Sequence, residues 1–265
     1  SIKVGYNRNF QYLHQLSNST TSSPTDVWVP SSNNIKPQIG DQVALGYYQN
    51  LKKNQYRVST EIYYKTLQNQ IDYRNGANLI LNDQVEGELV YGKGRAYGLE
   101  LLVEKKKGKF TGWLSYTLSR SLRQFDDINE GKEFSARQDR IHDISVVLMY
   151  KLTKNLALAG TFGYYTGDAV TFPSGKYEVN GNVVPYFTER NGYRMPNYHR
   201  ADIGLTWYLQ DKKRFEHNLN FSIYNVYARE NAFTISFQEN ASGDIEALQT
   251  SLFKMVPSIT YNFKI

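Results

Sequence analysis

The stretch VPSITYNFKI, Val256 to Ile265, decides the reading of this chain, because it carries two different chemistries on two alternating sets of positions. Ile259, Tyr261, Phe263 and Ile265 form one set, and Ser258, Thr260, Asn262 and Lys264 form the other. A period of two places successive side chains on opposite faces of a β-strand, so one face is apolar and the other wet. The same alternation recurs upstream. Leu219, Phe221 and Ile223 oppose Asn218, Asn220, Ser222 and Tyr224, and Ala201, Ile203, Leu205 and Trp207 oppose Asp202, Gly204, Thr206 and Tyr208. Leu156, Leu158, Phe162 and Tyr164 oppose Ala157, Ala159, Thr161 and Tyr165, while Ile144, Val146, Leu148 and Tyr150 oppose Asp143, Ser145, Val147 and Met149. Phe110, Leu114, Tyr116 and Leu118 oppose Thr111, Ser115, Thr117 and Ser119, and Tyr97, Leu99, Leu101 and Val103 oppose Glu100, Leu102 and Glu104; Trp113 and Leu102 break the pattern. Three more segments, around Tyr56–Lys65, Val43–Tyr48 and Ile2–Tyr6, bring the expectation to about ten strands.

The connections between these segments alternate in size. Leu51 to Asn54, Lys106 to Lys109, Leu152 to Asn155 and Gln210 to Glu216 are short. Asn18 to Asp41, Gln68 to Arg95, Leu122 to Ile141, Gly167 to His199 and Ala228 to Gln249 are long. Short turns on one side and long loops on the other are the habit of outer-membrane barrels, with the long loops outside the cell. The expected fold is therefore all-β, a transmembrane antiparallel up-and-down β-barrel with about ten strands in this chain. A lectin-like sandwich would also alternate, but the wet face here carries Glu61, Lys65, Glu100, Glu104, Asp143 and Asp202. So many ionisable groups do not suit a packed interior.

Composition agrees. The chain has 22 Tyr and 13 Phe, rings that favour strands and membrane interfaces. A mean hydropathy of −0.56, with Val146 to Tyr150 about the longest apolar run, excludes a spanning helix but not strands that cross in roughly 9–11 residues. The formal charge of +6 does not point to nucleic acid, because 31 Lys and Arg are interspersed among 25 acidic residues. Lys105 to Lys107 form the densest basic cluster and read as a solvated tight turn. The absence of Cys excludes disulfides and thiol chemistry.

With the strands placed, their wording resembles the TonB-dependent receptor family. The segments are YNRNFQYLHQLS at Tyr6 to Ser17, IKPQIGDQVALGYYQNL at Ile35 to Leu51, GRAYGLELLVE at Gly94 to Glu104, GWLSYTLSRS at Gly112 to Ser121, DRIHDIS at Asp139 to Ser145, RMPNYHRADI at Arg194 to Ile203, FSIYNVYARENA at Phe221 to Ala232, and VPSITYNFKI itself. They look closest to receptors with an N-terminal carboxypeptidase-regulatory-like domain. The resemblance implies a barrel of about 22 strands around a plug, of which residues 1–265 supply the final ten, without plug or TonB box. It implies energy-coupled uptake of a scarce small ligand across the outer membrane. The expected partners are lipid and lipopolysaccharide, the protein's own plug and TonB, and a surface lipoprotein lid. No cofactor, resident metal or catalysis is expected. The other readings are a structural barrel subunit of an outer-membrane assembly complex and an outer-membrane barrel protease.

Candidate chemistry is sparse. Asp139, His142 and Asp143 suggest an Asp/His pair of the sort an outer-membrane barrel protease uses to activate water. The remaining histidines, His14, His199 and His217, sit on or beside other strands. Asp126, Asp127, Asn129, Glu130 and Glu133 crowd one outer loop, but their spacing matches no EF-hand and reads as a solvated acidic loop. Gly92, Gly94 and Gly98 precede no helix, so bends at a strand start are expected rather than a phosphate cradle. Ligand contacts are expected from aromatic rings and forked cations on the outer loops: Trp28, Tyr73, Arg123, Phe125, Tyr186, Arg190, Tyr193 and Arg194. In the longest loop, Ser174 to Lys176 (SGK) and Asn180 to Asn182 (NGN) signal a projecting hairpin.

Overall fold

The computed structural model describes residues 1–16, 26–77, 79, 82–179, 182–212, 215–240 and 244–264. Ten long strands run antiparallel in chain order: β1 (Ile2–Gln11), β2 (Gln38–Leu51), β3 (Tyr56–Tyr73), β4 (Leu89–Lys105), β5 (Phe110–Phe125), β6 (His142–Lys151), β7 (Leu156–Tyr165), β8 (Tyr198–Lys212), β9 (Phe215–Tyr224) and β10 (Val256–Lys264). Each pairs with its neighbour in sequence, giving an up-and-down sheet, and among the described residues β1 and β10 do not pair with each other. All ten expected strands are present; Ile265, at the tip of the last, lies outside the described residues.

Register lines the apolar set into rows on one face. Leu158 stands opposite Leu205, Leu205 opposite Phe221, and Phe221 opposite Ile259. Leu158, Phe221 and Ile259 of this row are exposed and Leu205 is half-buried, and Ile2 and Ile259 at the two ends of the sheet are 72% and 71% exposed. An apolar face this continuous is too large for water and suits hydrocarbon. The other face carries its own row, from Glu61 through Glu100, Thr117, Asp143 and Tyr165 to Tyr198. Trp113 and Leu102, which interrupt the alternation, join this inner face, where they stand opposite Glu104 and Ser115.

The short turns use left-handed backbone. Lys52, Lys53 and Asn54 have φ of 48°, 53° and 63°, and Gly108 has 106°. The Lys105 to Lys107 cluster sits on such a turn, with Lys107 Nζ donating to the Lys53 carbonyl at 3.2 Å and Lys105 lying over the Tyr56 and Phe110 rings. Gly92, Gly94 and Gly98 correct an expectation: they lie within β4 and make no bend at its start. A Cβ at each would meet the carbonyl oxygens of Gln124, Leu122 and Leu118 on β5, so glycine there permits close approach of two strands.

The strands outrun the bilayer at the long-loop end. β3, β4 and β5 contain 18, 17 and 16 residues, against the roughly 9–11 needed to cross. Their extensions carry two small apolar clusters, one of Leu16, Val29, Ile35, Ile71, Leu79 and Leu89, the other of Val90, Phe125, Ile128 and Phe134. The loops contain short hairpins that periodicity did not indicate, such as Leu13–Leu16 with Val27–Pro30 and Thr234–Glu239 with Ile245–Thr250. The projecting hairpin is Gly175–Val179 paired with Asn182–Tyr186. Gly175 and Lys176 belong to its first strand rather than to a turn, while Asn180 and Gly181 of the second turn signal lie outside the described residues.

Candidate ligand site

The long connection between β7 and β8 folds back across the outer end of the inner face and is held there by arginine. Arg190 donates to Asp72 Oδ1 at 2.6 Å, to the Tyr73 carbonyl at 3.2 Å and to Asn75 Oδ1 at 3.1 Å, with its guanidinium 4.1 Å from the centre of the Tyr73 ring. Asn129 exchanges two hydrogen bonds with the Arg190 backbone, at 2.8 and 3.0 Å. It can do so because Asn129, Glu130 and Gly131 adopt left-handed conformations that turn the acidic loop inward. Three connections distant in sequence thus meet at one residue.

Asp139 is the second anchor. Its side chain is 0% exposed, accepts from the Ser121 backbone N–H at 2.6 Å and from Arg194, and pairs by charge with Arg120 at 3.4 Å without a hydrogen bond. Arg194 also donates to the Gly167 carbonyl at 3.2 Å. Gly167 itself admits no side chain, since a Cβ would lie 1.8 Å from the Met195 carbonyl oxygen. A protease dyad is not assembled: His142 Nδ1 is 2.9 Å from the Tyr116 hydroxyl, and Asp143, the next residue on β6, faces the other way.

Two cavities open beside these anchors. The first, about 110 Å³, is polar and lined by Asp72, Tyr73, Arg123, Arg137 and Arg190. The second, about 400 Å³, is aromatic and lined by Tyr165, Tyr198, Tyr224, Phe233 and Phe253, with Arg137 common to both. Tyr165 and Tyr198 stack at 4.6 Å with their planes 7° apart, and Arg140 lies 3.8 Å over Tyr165. Arg200 donates to the Tyr198 and Tyr224 hydroxyls at 2.9 and 2.8 Å and pairs with Asp202 at 3.0 Å. This combination can hold a planar or apolar body in one compartment and a charged group in the other.

The residues singled out in the sequence fall into three groups. Tyr73, Arg123 and Arg190 converge on the polar cavity. Phe125, 1% exposed, packs with Phe134 and Ile128, and the Arg194 side chain is committed to Asp139 and the loop backbone. Trp28 and Tyr186, 55% and 53% exposed, stand apart from both cavities, and Tyr193 packs against Phe172. Arg137, Tyr165, Tyr198 and Tyr224 were not singled out. The signal for the tyrosines was present: each stands on the wet face at the long-loop end of its strand, where a large ring has no membrane to face.

Two carboxylates of the acidic loop make local ion pairs. Glu133 meets Arg95 at 2.6 Å, and Glu130 meets Lys132 at 2.7 Å, which lowers the Glu130 carboxyl below its ordinary range. Among the described residues no three acidic or histidine side chains converge as metal ligands. His14, 1% exposed in the first outer loop, contacts Ser31 Oγ and Gln38 Nε2 at 3.1 Å each, and burial lowers its pKa.

Comparison with known proteins agrees with this architecture. The chain superposes on the ferric-catecholate import receptor Fiu of E. coli K12 in its closed form, with a TM-score of 0.55 and 16% identity, covering 98% of this chain and 33% of that one. It matches the ferripyoverdine receptor of Pseudomonas aeruginosa with a TM-score of 0.55 and 13% identity, over 99% and 30%. It also matches the outer membrane transporter YddB of Escherichia coli with a TM-score of 0.54 and 13% identity, over 99% and 37%. The chain therefore spans about a third of the length of these solved structures, and at such identities the likeness is one of fold. No curated protein matches it. The model of the TonB-dependent receptor-like β-barrel matches residues 1–226; with the lipid-suited outer face and long-loop end described above, this chain belongs to that family of outer-membrane receptor barrels.

Proposed function

We propose that this chain forms wall and outer loops of an energy-coupled importer that brings a scarce small ligand across the outer membrane. The observation that carries the reading is the pairing of a lipid-facing apolar surface with two side-chain-lined cavities at the long-loop end of the opposite face. The remainder of the protein supplies a plug and a TonB box, preceded by a carboxypeptidase-regulatory-like domain. The apolar band contacts lipid, and its outer margin contacts lipopolysaccharide. Of the residues proposed from the sequence, Tyr73 and Arg123 line the ligand's compartment, Arg190 and Arg194 hold its roof, and Trp28, Tyr186 and Tyr193 offer first contacts or seat a surface lipoprotein.

One fold relative is named a ferric-catecholate import receptor and another a ferripyoverdine receptor, which makes ferric siderophores the first cargo to try. Radioiron bound to each siderophore class is offered to cells expressing the full-length receptor, with and without TonB. Accumulation that requires both the receptor and TonB supports the reading, and cargo entry that persists at the same rate without TonB overturns energy coupling. No bond is made or broken in this function, in keeping with the separation of Asp139 from His142 by their partners.

A further inference from the structure

The polar cavity contains more positive charge than its described surroundings neutralise. Arg123, Arg137 and Arg190 line it with one carboxylate, Asp72. Arg190 takes that carboxylate through Nη1 and donates through Nη2 to the Tyr73 carbonyl and Asn75. Arg137 has an interaction of its own within the protein. Arg123 has no hydrogen-bond or ion-pair partner among the described residues, and only the more distant charge of Asp72 acts on it. Alternation along β5 explains its position: Ser115, Thr117, Ser119 and Ser121 share the inner face, and Arg123 is the next in that series.

A guanidinium is permanently charged and presents five N–H donors in a fork that fits a carboxylate or phosphate. Leaving it without a counter-ion in a confined space is unfavourable, and an anion entering the cavity relieves that. The space of about 110 Å³ admits one such group, not a whole ligand. Room for the rest lies across Arg137, in the cavity of about 400 Å³ whose wall is the Tyr165 and Tyr198 stack.

We propose that Arg123 anchors a subsite for an organic anion, its carboxylate or phosphate held in the arginine-lined cavity and its ring-bearing remainder placed against Tyr165 and Tyr198. This rests on the importer reading only in that a ligand must reach the inner face from outside. Recognition by charge falls to Arg123, because Arg190 and Arg194 already hold carboxylates of the protein itself.

The test uses purified full-length receptor and three probes of one shape: 2-naphthoate, 2-naphthyl phosphate and the neutral 2-naphthamide, titrated calorimetrically at low ionic strength. At least one anion should bind at least tenfold more tightly than the amide, as expected for a charge-assisted forked hydrogen bond. Arg123→Gln should remove that preference, and Arg123→Lys should retain part of it. The melting temperature of Arg123→Gln should be unchanged or raised, because no hydrogen-bond or ion-pair partner among the described residues is lost. Equal binding of anions and amide, no binding of either anion, or a melting temperature lowered as far as by Arg190→Ala would overturn the subsite. TonB-dependent uptake measured in the same cells separates the two readings: uptake without anion binding sinks the subsite alone, and anion binding without any TonB-dependent cargo sinks the importer alone.

Discussion

Arg190 Nη1 and Asp72 Oδ1 lie 2.6 Å apart across 118 residues of sequence, with side chains only 8% and 12% exposed. This pair joins the extension of β3 to the loop that roofs the inner face. Removing one member strands the other charge in a poorly hydrated place, a loss of about 3–5 kcal/mol in comparable buried pairs. Arg190→Ala should therefore release the loop between β7 and β8 while leaving the strands intact. Limited proteolysis is expected to cut within residues 167–199 in the variant and not in the parent; identical cleavage would show that the pair does not hold the roof.

Asp139→Asn tests the second anchor. The carboxylate is 0% exposed and faces Arg194 and Arg120, so its neutralisation leaves two cations with one oxygen acceptor and a misplaced amide. A loss of about 3 kcal/mol or more is expected in the loop's opening equilibrium. Hydrogen exchange of the backbone amides of Ser121 and Met195 should rise together, since Asp139 accepts from the first and the second belongs to the same loop contact.

The first outer loop should respond to pH. Burial lowers the pKa of His14 below its ordinary value of 6.5, so the unfolded loop binds the proton more readily than the folded one. The folded arrangement is then fully stable above about pH 6.5 and loses stability as pH falls below it toward the lowered value. Fluorescence of Trp28, which sits on the strand paired with that of His14, should report opening on acidification. In His14→Gln the transition should be absent; its persistence would assign the pH response to another group.

On the membrane face, a shift of one residue should reverse the cost of a charge. Phe221 lies in the outward row with Leu205 and Ile259, whereas Ser222 points inward and meets Ser258 Oγ at 2.7 Å. Phe221→Arg should lower stability in lipid vesicles by about 2–4 kcal/mol, and Ser222→Arg by far less. Equal effects would mean that the two faces are not lipid and lumen.

Orientation is checked by labelling intact cells with an impermeant thiol reagent. Ser174, exposed at the base of the projecting hairpin, should react as Cys, while Asn155 in the short turn before β7 should not. Equal reaction at both would overturn the assignment of long loops to the outside.

Local pattern alone located the strands of the wall. A period of two is a property of neighbouring residues, and in a meander each strand pairs with the next, so alternation in β1 to β10 together with loop length set the order, the faces and the long-loop end. The same information marked Tyr73, Arg123 and Arg190 as ring and fork residues of the outer end. It could not separate Arg123, which has no hydrogen-bond or ion-pair partner among the described residues, from Arg190 and Arg194, which hold Asp72 and Asp139. The distinction depends on partners 118 and 55 residues away, and the approach of those partners is decided by how loops fold over one another. Likewise, the glycines of β4 looked like bends because spacing carries no record of the β5 carbonyls that stand against them. The sequence by itself determined a two-faced, up-and-down membrane sheet; only the tertiary structure decided that Asp72 pairs with Arg190 and Asp139 with Arg194, because electrostatic pairing is a matter of proximity in space.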